Sequence, residues 1–238
     1  MHLRILKALL ALAVAVTVAA CGLGTAGTPT PAPSPTPAPG AFTMDAFRKL
    51  IARDDLTYRS VEAGSFTVDG GPESPYRMES AVRGQDFRAT VSLTRLDMEL
   101  VAIRPLSWAR LGDGPRVQGA QDDAVMDGVL DVWQSLGDLN DLSFKGDAPN
   151  RPGSVLYKAS KPIPYANRTL VGGEGAADGK ITNLYLVLDG ETGAPILIEL
   201  NAEAAVPAAS GTPAQALRMK STITFSDLDG PVDIAPPQ

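Results

Sequence analysis

Few residues in this chain can do chemistry. Of 238 residues, one is cysteine and one is histidine. The cysteine, Cys21, closes the stretch Val18-Ala19-Ala20-Cys21 and has no partner thiol in the chain; the histidine is His2. Ser-His-Asp and Cys-His triads need a histidine inside the folded domain, and zinc sites draw mainly on Cys and His. Both classes are excluded once His2 is set aside with the N-terminal segment. Carboxylate pairs and Ser-Lys dyads survive that test. Asp54-Asp55 and Asp122-Asp123 are adjacent in sequence and read as helix-end and solvated acids, whereas glycoside hydrolysis needs two carboxyls facing each other at about 5 to 10 Å. Ser160-Lys161 and Lys220-Ser221 read as strand neighbours, so their side chains point to opposite faces. "SDLDGP", with Asp227, Asp229 and Gly230, lacks the spaced acids and closing glutamate of a calcium loop and reads as a surface turn. Asn167-Arg168-Thr169 has the spacing of an N-glycosylation acceptor. The sequence therefore assigns no catalytic residue, no metal ligand and no cofactor, and the expectation is a protein that is not an enzyme.

Cys21 is explained by what stands before it. Met1-His2-Leu3-Arg4-Ile5-Leu6-Lys7 is followed by an apolar run from Ala8 to Ala20. A short basic stretch, an apolar core and small residues at a boundary mark a secretory signal peptide. The run is too short to span a bilayer, which takes roughly 20 apolar residues. Val18-Ala19-Ala20-Cys21 resembles the lipobox of bacterial lipoproteins, in which the thiol becomes a diacylglyceryl thioether and the cysteine becomes the first residue of the mature chain. That resemblance implies lipidation of Cys21 and an anchored domain on the extracytoplasmic side of the cell membrane. Two or more acyl chains hold a protein stably where one is marginal. Gly22 lacks the aspartate that commonly retains such proteins at an inner membrane.

"GLGTAG", residues 22–27, formally matches GxGxxG, but a dinucleotide loop needs a strand before it and a helix after it. Here "TPTPAPSPTPAPG" follows. Alternating proline favours an extended spacer, which at about 3.1 Å per residue could set a domain roughly 50 to 60 Å from the bilayer. It serves as a stalk or as a plain linker. The expected organisation is signal peptide 1–20, lipidated cysteine and Pro/Thr/Ala-rich linker 21–41, and one domain over 42–238.

Without Arg4 and Lys7 the chain carries 19 basic against 27 acidic residues, a net charge of −8. That balance argues against nucleic-acid binding and against basic docking on anionic lipid.

The elements follow from periodicity. "TMDAFRKLIARDD" places Met44, Phe47, Leu50 and Ile51 on one side of a helix, with Thr43 as N-cap. Period two then takes over. "YRMESAVR" and "DFRATVSL" alternate around "RGQD" as a hairpin, and "GSFTVDGG" puts Phe66 and Val68 on one face. "MELVAIR", "LSWARLG", "LSFKGD" and "SVLYKASK" read as further strands. "DDAVMDGVLDVWQSLGDL" is a second helix, with Val125, Val129, Val132, Trp133 and Leu136 on one face. "KITNLYLVLDGETGAPILIELNA" is the clearest hairpin, and "LRMKSTITFSD" the last strand. The sum is about nine to eleven antiparallel strands and two or three helices. A sheet with one apolar face needs something to cover it, which a strongly curved sheet wrapping its own helices provides.

This order resembles the bacterial lipoprotein carriers of the LolA/LolB type, and more closely the LppX/LprG group of envelope lipoproteins. The residues that carry it are the lipobox at Cys21, the amphipathic helix before the first strand, the hairpin "LYLVLDGETGAPILIEL" with Asp189, Thr192, Gly193 and Pro195 in its turn, and the ending "TITFSDLDGPVDIAPP". The resemblance implies an α+β half-barrel with helices on its concave face, enclosing an apolar cavity for acyl chains. It implies a lipid or glycolipid as ligand, with the membrane reached through the acylated cysteine. Phe66, Met78, Phe87, Val91, Val129 and Trp133 are the candidate cavity-lining residues, and Trp108 could line the same pocket or belong to ordinary core. The Gly-rich segment 172–179 is a candidate gate. Apolar residues at these positions line a pocket or fill a core equally well. The alternative is accordingly a non-catalytic interaction or sensor module with an envelope protein partner.

Overall fold

The computed structural model describes residues 40–94, 96–120, 139–167, 177–206 and 214–237. It opens with helix α1 (Ala41–Ile51). Apolar residues three or four apart bury one face: Met44 and Phe47 are inside, and Leu50 and Ile51 pack against the same core. Arg48 and Lys49 lie in the last turn, where cations complement the backbone dipole. The N-cap is Gly40, not Thr43 as the sequence pattern predicts. Ala41 and Phe42 are already helical, so Thr43 sits inside the first turn and its hydroxyl is free to bond elsewhere.

The strands are β1 (Thr57–Val68), β2 (Ser74–Arg83), β3 (Asp86–Leu93), β4 (Leu96–Ile103), β5 (Leu106–Leu111), β6 (Val117–Ala120), β7 (Leu142–Asp147), β8 (Ser154–Ala159), β9 (Ile163–Asn167), β10 (Ala177–Asp189), β11 (Pro195–Val206) and β12 (Gln215–Ser226). A 3-10 turn, Leu139–Asp141, precedes β7. All twelve belong to one sheet in the order β6-β5-β4-β3-β2-β1-β12-β11-β10-β8-β7, with β9 paired to β10. Every pairing is antiparallel. The sheet does not close, because β6 and β7 stand at opposite ends of that order. A twisted sheet of this width curls rather than staying flat.

Two expectations are corrected. Among the described residues the strands number twelve rather than nine to eleven, the additions being β6 and β9. Among the described residues there is one α-helix rather than two or three. The helix expected over 122–136, with Val129 and Trp133, lies outside the described residues.

Alternation assigns the two faces of the sheet. The inner face, on which α1 packs, carries the main apolar core, which runs from Phe87 and Ala102 at one side to Leu142 and Tyr157 at the other. The outer face is polar apart from two small patches. Val232 and Ile234, in the segment after β12, cover Ala81 and Val101, with Trp108 and Ile103 packed alongside. Ala148 covers Val187 and Leu197.

The turn between β10 and β11 fastens the helix to the sheet. Asp189 Oδ1 accepts from the Glu191 N–H (3.1 Å), the Thr192 N–H (2.7 Å) and the Thr192 hydroxyl (2.7 Å). These bonds hold its carboxyl below the ordinary value, the Thr192 hydroxyl contributing most. Gly193 has φ +73°, and a Cβ there would come within 2.7 Å of the Phe47 nitrogen. A glycine is thus required twice over, for the left-handed turn and for the approach of helix to hairpin.

Candidate functional site

The register of the sheet aligns one inner-face residue from each of ten strands into a continuous row. Glu62 of β1 stands near its middle. On one side follow Met78, Val91, Met98 and Leu111, on strands β2 to β5. On the other side follow Ile223, Ile198, Leu186, Tyr157 and Phe144, on β12, β11, β10, β8 and β7. Every member except Glu62 is apolar or aromatic.

Both halves of this row mix buried and half-buried residues. Under α1, Leu184, Leu186, Leu188 and Ile198 are each 0 % exposed, as is Phe47 of the helix. Across β1 to β4, Phe87, Ala89, Val91, Met98 and Ala102 are buried, while Phe66, Met78, Leu93 and Leu100 are half-buried. Four strand spacings separate β1 from β5, a wall about 19 Å wide at roughly 4.8 Å per strand.

Glu62 is 2 % exposed. Its Oε1 accepts a hydrogen bond from the Tyr76 hydroxyl at 2.5 Å and another from the Ser221 hydroxyl at 2.6 Å. Tyr76 and Ser221 flank Gly64 in the sheet, one on β2 and one on β12. A Cβ on Gly64 would lie 2.8 Å from the Tyr76 ring and 2.3 Å from the Lys220 carbonyl oxygen. The missing side chain is therefore what lets the ring lie across β1 and reach the carboxyl. The same hydroxyl is 3.2 Å from the Met219 sulfur.

Two buried glutamates show what decides protonation. Glu99, on the outer face, has Arg88 at 2.6 Å, Arg116 at 3.1 Å and Arg110 at 3.3 Å. Burial pushes its carboxyl up, but the hydrogen bonds from Arg116 and Arg88 and their charge outweigh it, and the net direction is down. Glu62 has only hydroxyl donors, so burial prevails and its carboxyl is raised above 4.5. Burial is also the main cause that raises the Tyr76 phenol, which stays protonated. A buried charge without a counter-ion takes up a proton rather than remain ionised.

The described candidates Phe66, Met78, Phe87 and Val91 all lie on the inner face. Phe87 and Val91 are buried, and Phe66 packs tilted on Tyr76 with ring centroids 6.4 Å apart. Cys21, Val129 and Trp133 lie outside the described residues. Trp108 is on the outer face, its indole N–H donating to Gln118 Oε1 at 3.2 Å. Lys220 is exposed and Ser221 buried, on opposite faces of β12. Ser160 and Lys161 are not in a strand as predicted: they form a bend after β8, where both reach Asp141, at 2.9 Å to its carbonyl and 3.2 Å to its carboxylate. Asp227 and Asp229 lie on a surface turn and pair with Arg59 and Arg53. Residues 177–179 of the candidate gate begin β10, and 172–176 lie outside the described residues.

Sequence patterning misses Glu62, Tyr76 and Ser221 as a group. The available signal was a strand whose inner positions read Tyr58, Ser60, Glu62, Gly64, Phe66 and Val68: a period-two strand with polar residues at its centre.

No family model and no curated protein matches the chain. Its structural neighbours include a LolA superfamily protein and a lipoprotein-sorting domain. A LolA superfamily protein from Nitrosomonas europaea is 9% identical, with 84% of this chain and 96% of that one covered and a TM-score of 0.30. A DUF1329 family protein from Desulfovibrio piger is 10% identical, with 84% and 95% covered and a TM-score of 0.29. A domain described as outer membrane lipoprotein-sorting, from Vibrio parahaemolyticus, is 9% identical, with 83% and 93% covered and a TM-score of 0.26. Likeness at this level assigns neither ligand nor activity.

Proposed function

We propose that this chain is a membrane-anchored envelope lipoprotein that holds the acyl chains of a lipid or glycolipid against the inner face of its sheet, without catalysing a reaction on them. The observation that carries this reading is the apolar row across β1 to β5, beside which Phe66, Leu93 and Leu100 are only half-buried. Burial of a methylene contributes about 0.8 kcal/mol, so a sixteen-carbon chain gains roughly 10 kcal/mol before the entropy of association is subtracted. No charge and no catalytic constellation is needed for that step.

The rest of the layout follows from the sequence. Export is directed by residues 1–20, Cys21 is acylated, and residues 21–41 tether a domain over 42–238 on the extracytoplasmic side. Movement of segment 172–179 would admit the ligand, and deleting it should slow uptake. Replacing Cys21 with Ser should abolish incorporation of labelled palmitate and release the protein from membranes.

The test is photo-crosslinking with a diacyl lipid carrying a diazirine in one chain. Adducts on inner-face residues of β1 to β4, Met78 and Val91 among them, support the reading. Adducts confined to the outer face, or none, contradict it and favour a filled-core module that binds a protein partner.

A further inference from the structure

Glu62 is the one carboxyl in the apolar row, and half of it is unsatisfied. Both hydroxyl donors, Tyr76 and Ser221, bond to Oε1; among the described residues Oε2 has no hydrogen-bond partner. No described Lys or Arg pairs with this side chain, whose neighbours along the row are Met78 and Ile223. With Oε1 saturated as an acceptor, the proton of the neutral carboxyl belongs on Oε2, where it is a donor without an acceptor. Buried donors in native proteins nearly always have a partner, and each exception calls for an explanation.

Position supplies one. Glu62 stands near the middle of the row, with the half-buried Met78 beside it on β2. An acyl chain laid along Met78, Val91, Met98 and Leu111 would end beside it. The polar group at the end of an esterified chain is a carbonyl, an acceptor with no proton of its own.

Resting on the acyl-chain reading above, we propose that Glu62 is the polar subsite of that wall, its Oε2–H donating to the ester carbonyl oxygen of the bound chain. The ligand class is thereby narrowed from apolar molecules in general to ester-linked acyl lipids. Tyr76 and Ser221 are positioning residues: they hold Oε1 and so direct the proton to Oε2. The site selects an ester over a hydrocarbon of equal length by one hydrogen bond, an advantage of about tenfold.

The experiment compares methyl palmitate with heptadecane, each delivered from cyclodextrin to the full mature chain carrying Cys21→Ser. Binding is read by native mass spectrometry, and the ester carbonyl stretch by infrared spectroscopy of the complex. The wild-type site should favour the ester about tenfold and shift its carbonyl band to lower frequency. Glu62→Gln, whose amide still donates, should keep most of the preference. Glu62→Met should bind both probes alike, with the band at the position of an unbonded ester. Equal affinity for the two probes in the wild type, or a preference that survives Glu62→Met, overturns the subsite while leaving the acyl-chain reading intact. Failure to bind either probe overturns the acyl-chain reading itself. Should Glu62→Met fail to fold, the wild-type carbonyl frequency decides alone.

Discussion

Thr43 and Gly190 are joined by a hydrogen bond of 3.2 Å, from the threonine hydroxyl to the glycine carbonyl, across 147 positions of sequence. The bond ties the first turn of α1 to the hairpin turn between β10 and β11. It thereby fixes α1 against the β10–β11 end of the inner face. Thr43→Val keeps the shape and removes the donor; it should cost about 1 kcal/mol. Gly193→Ala should cost more, about 2 to 4 kcal/mol, because it adds a Cβ at positive φ against the Phe47 nitrogen. Urea denaturation of both variants checks the order.

Gly64 has a different task. Alanine there would press on the Tyr76 ring and on the Lys220 carbonyl oxygen at once. The backbone contact cannot rotate away, so Gly64→Ala should destabilise by about 2 kcal/mol or more. It should also displace the tyrosine from Glu62, visible as a change in near-ultraviolet circular dichroism.

The polar group within the core sets stability against function. Glu62→Met alone strands two buried hydroxyls at about 1 to 3 kcal/mol each and should destabilise. Combined with Tyr76→Phe and Ser221→Ala it removes the whole group, and the triple variant should be at least as stable as the wild type. Denaturant titration of the single and the triple variant distinguishes the two.

Stability should also depend on pH in a way that names its groups. The folded Glu62 carboxyl is raised above 4.5, so it binds its proton more tightly folded than unfolded. Its contribution is fully present below 4.5 and is lost as pH rises through the folded value. Asp189 is lowered from 3.8, so its contribution is present above that value and lost as pH falls. Thermal melts should show Glu62→Gln flattening the loss on the alkaline side and Asp189→Asn flattening the loss on the acid side.

The segment after β12 is a structural strap. Val232 and Ile234 are buried against Ala81 and Val101 on the outer face. Replacing both with Ala should cost about 2 to 4 kcal/mol, and removing residues 231–237 should redden the emission of Trp108, which packs beside them.

Where burial follows a local period, the sequence was a sufficient guide. The helix face of Met44, Phe47, Leu50 and Ile51, the β2–β3 hairpin and the Asp189 turn were all legible, because each needs only its own residues to be specified. β6 was not, since Val117–Ala120 is four residues long with a glycine inside and is held by β5. β9 was hidden by Pro164, which argues against a central strand, and among the described residues it pairs only with β10. The N-terminal half of β1 was missed for the reason that makes it interesting. Ser60 and Glu62 occupy inward positions and interrupt the apolar alternation that marks a strand. Local pattern cannot supply the three-strand register that brings Tyr76 and Ser221 onto Glu62.

The central claim is that the inner face holds an acyl chain, and the most direct measurement is native mass spectrometry of the mature chain carrying Cys21→Ser, purified from a bacterial host without detergent. The account predicts a discrete added mass that organic extraction removes and that analysis identifies as an acyl lipid. A clean apo mass, unchanged after incubation with phospholipid and triacylglycerol, would contradict it.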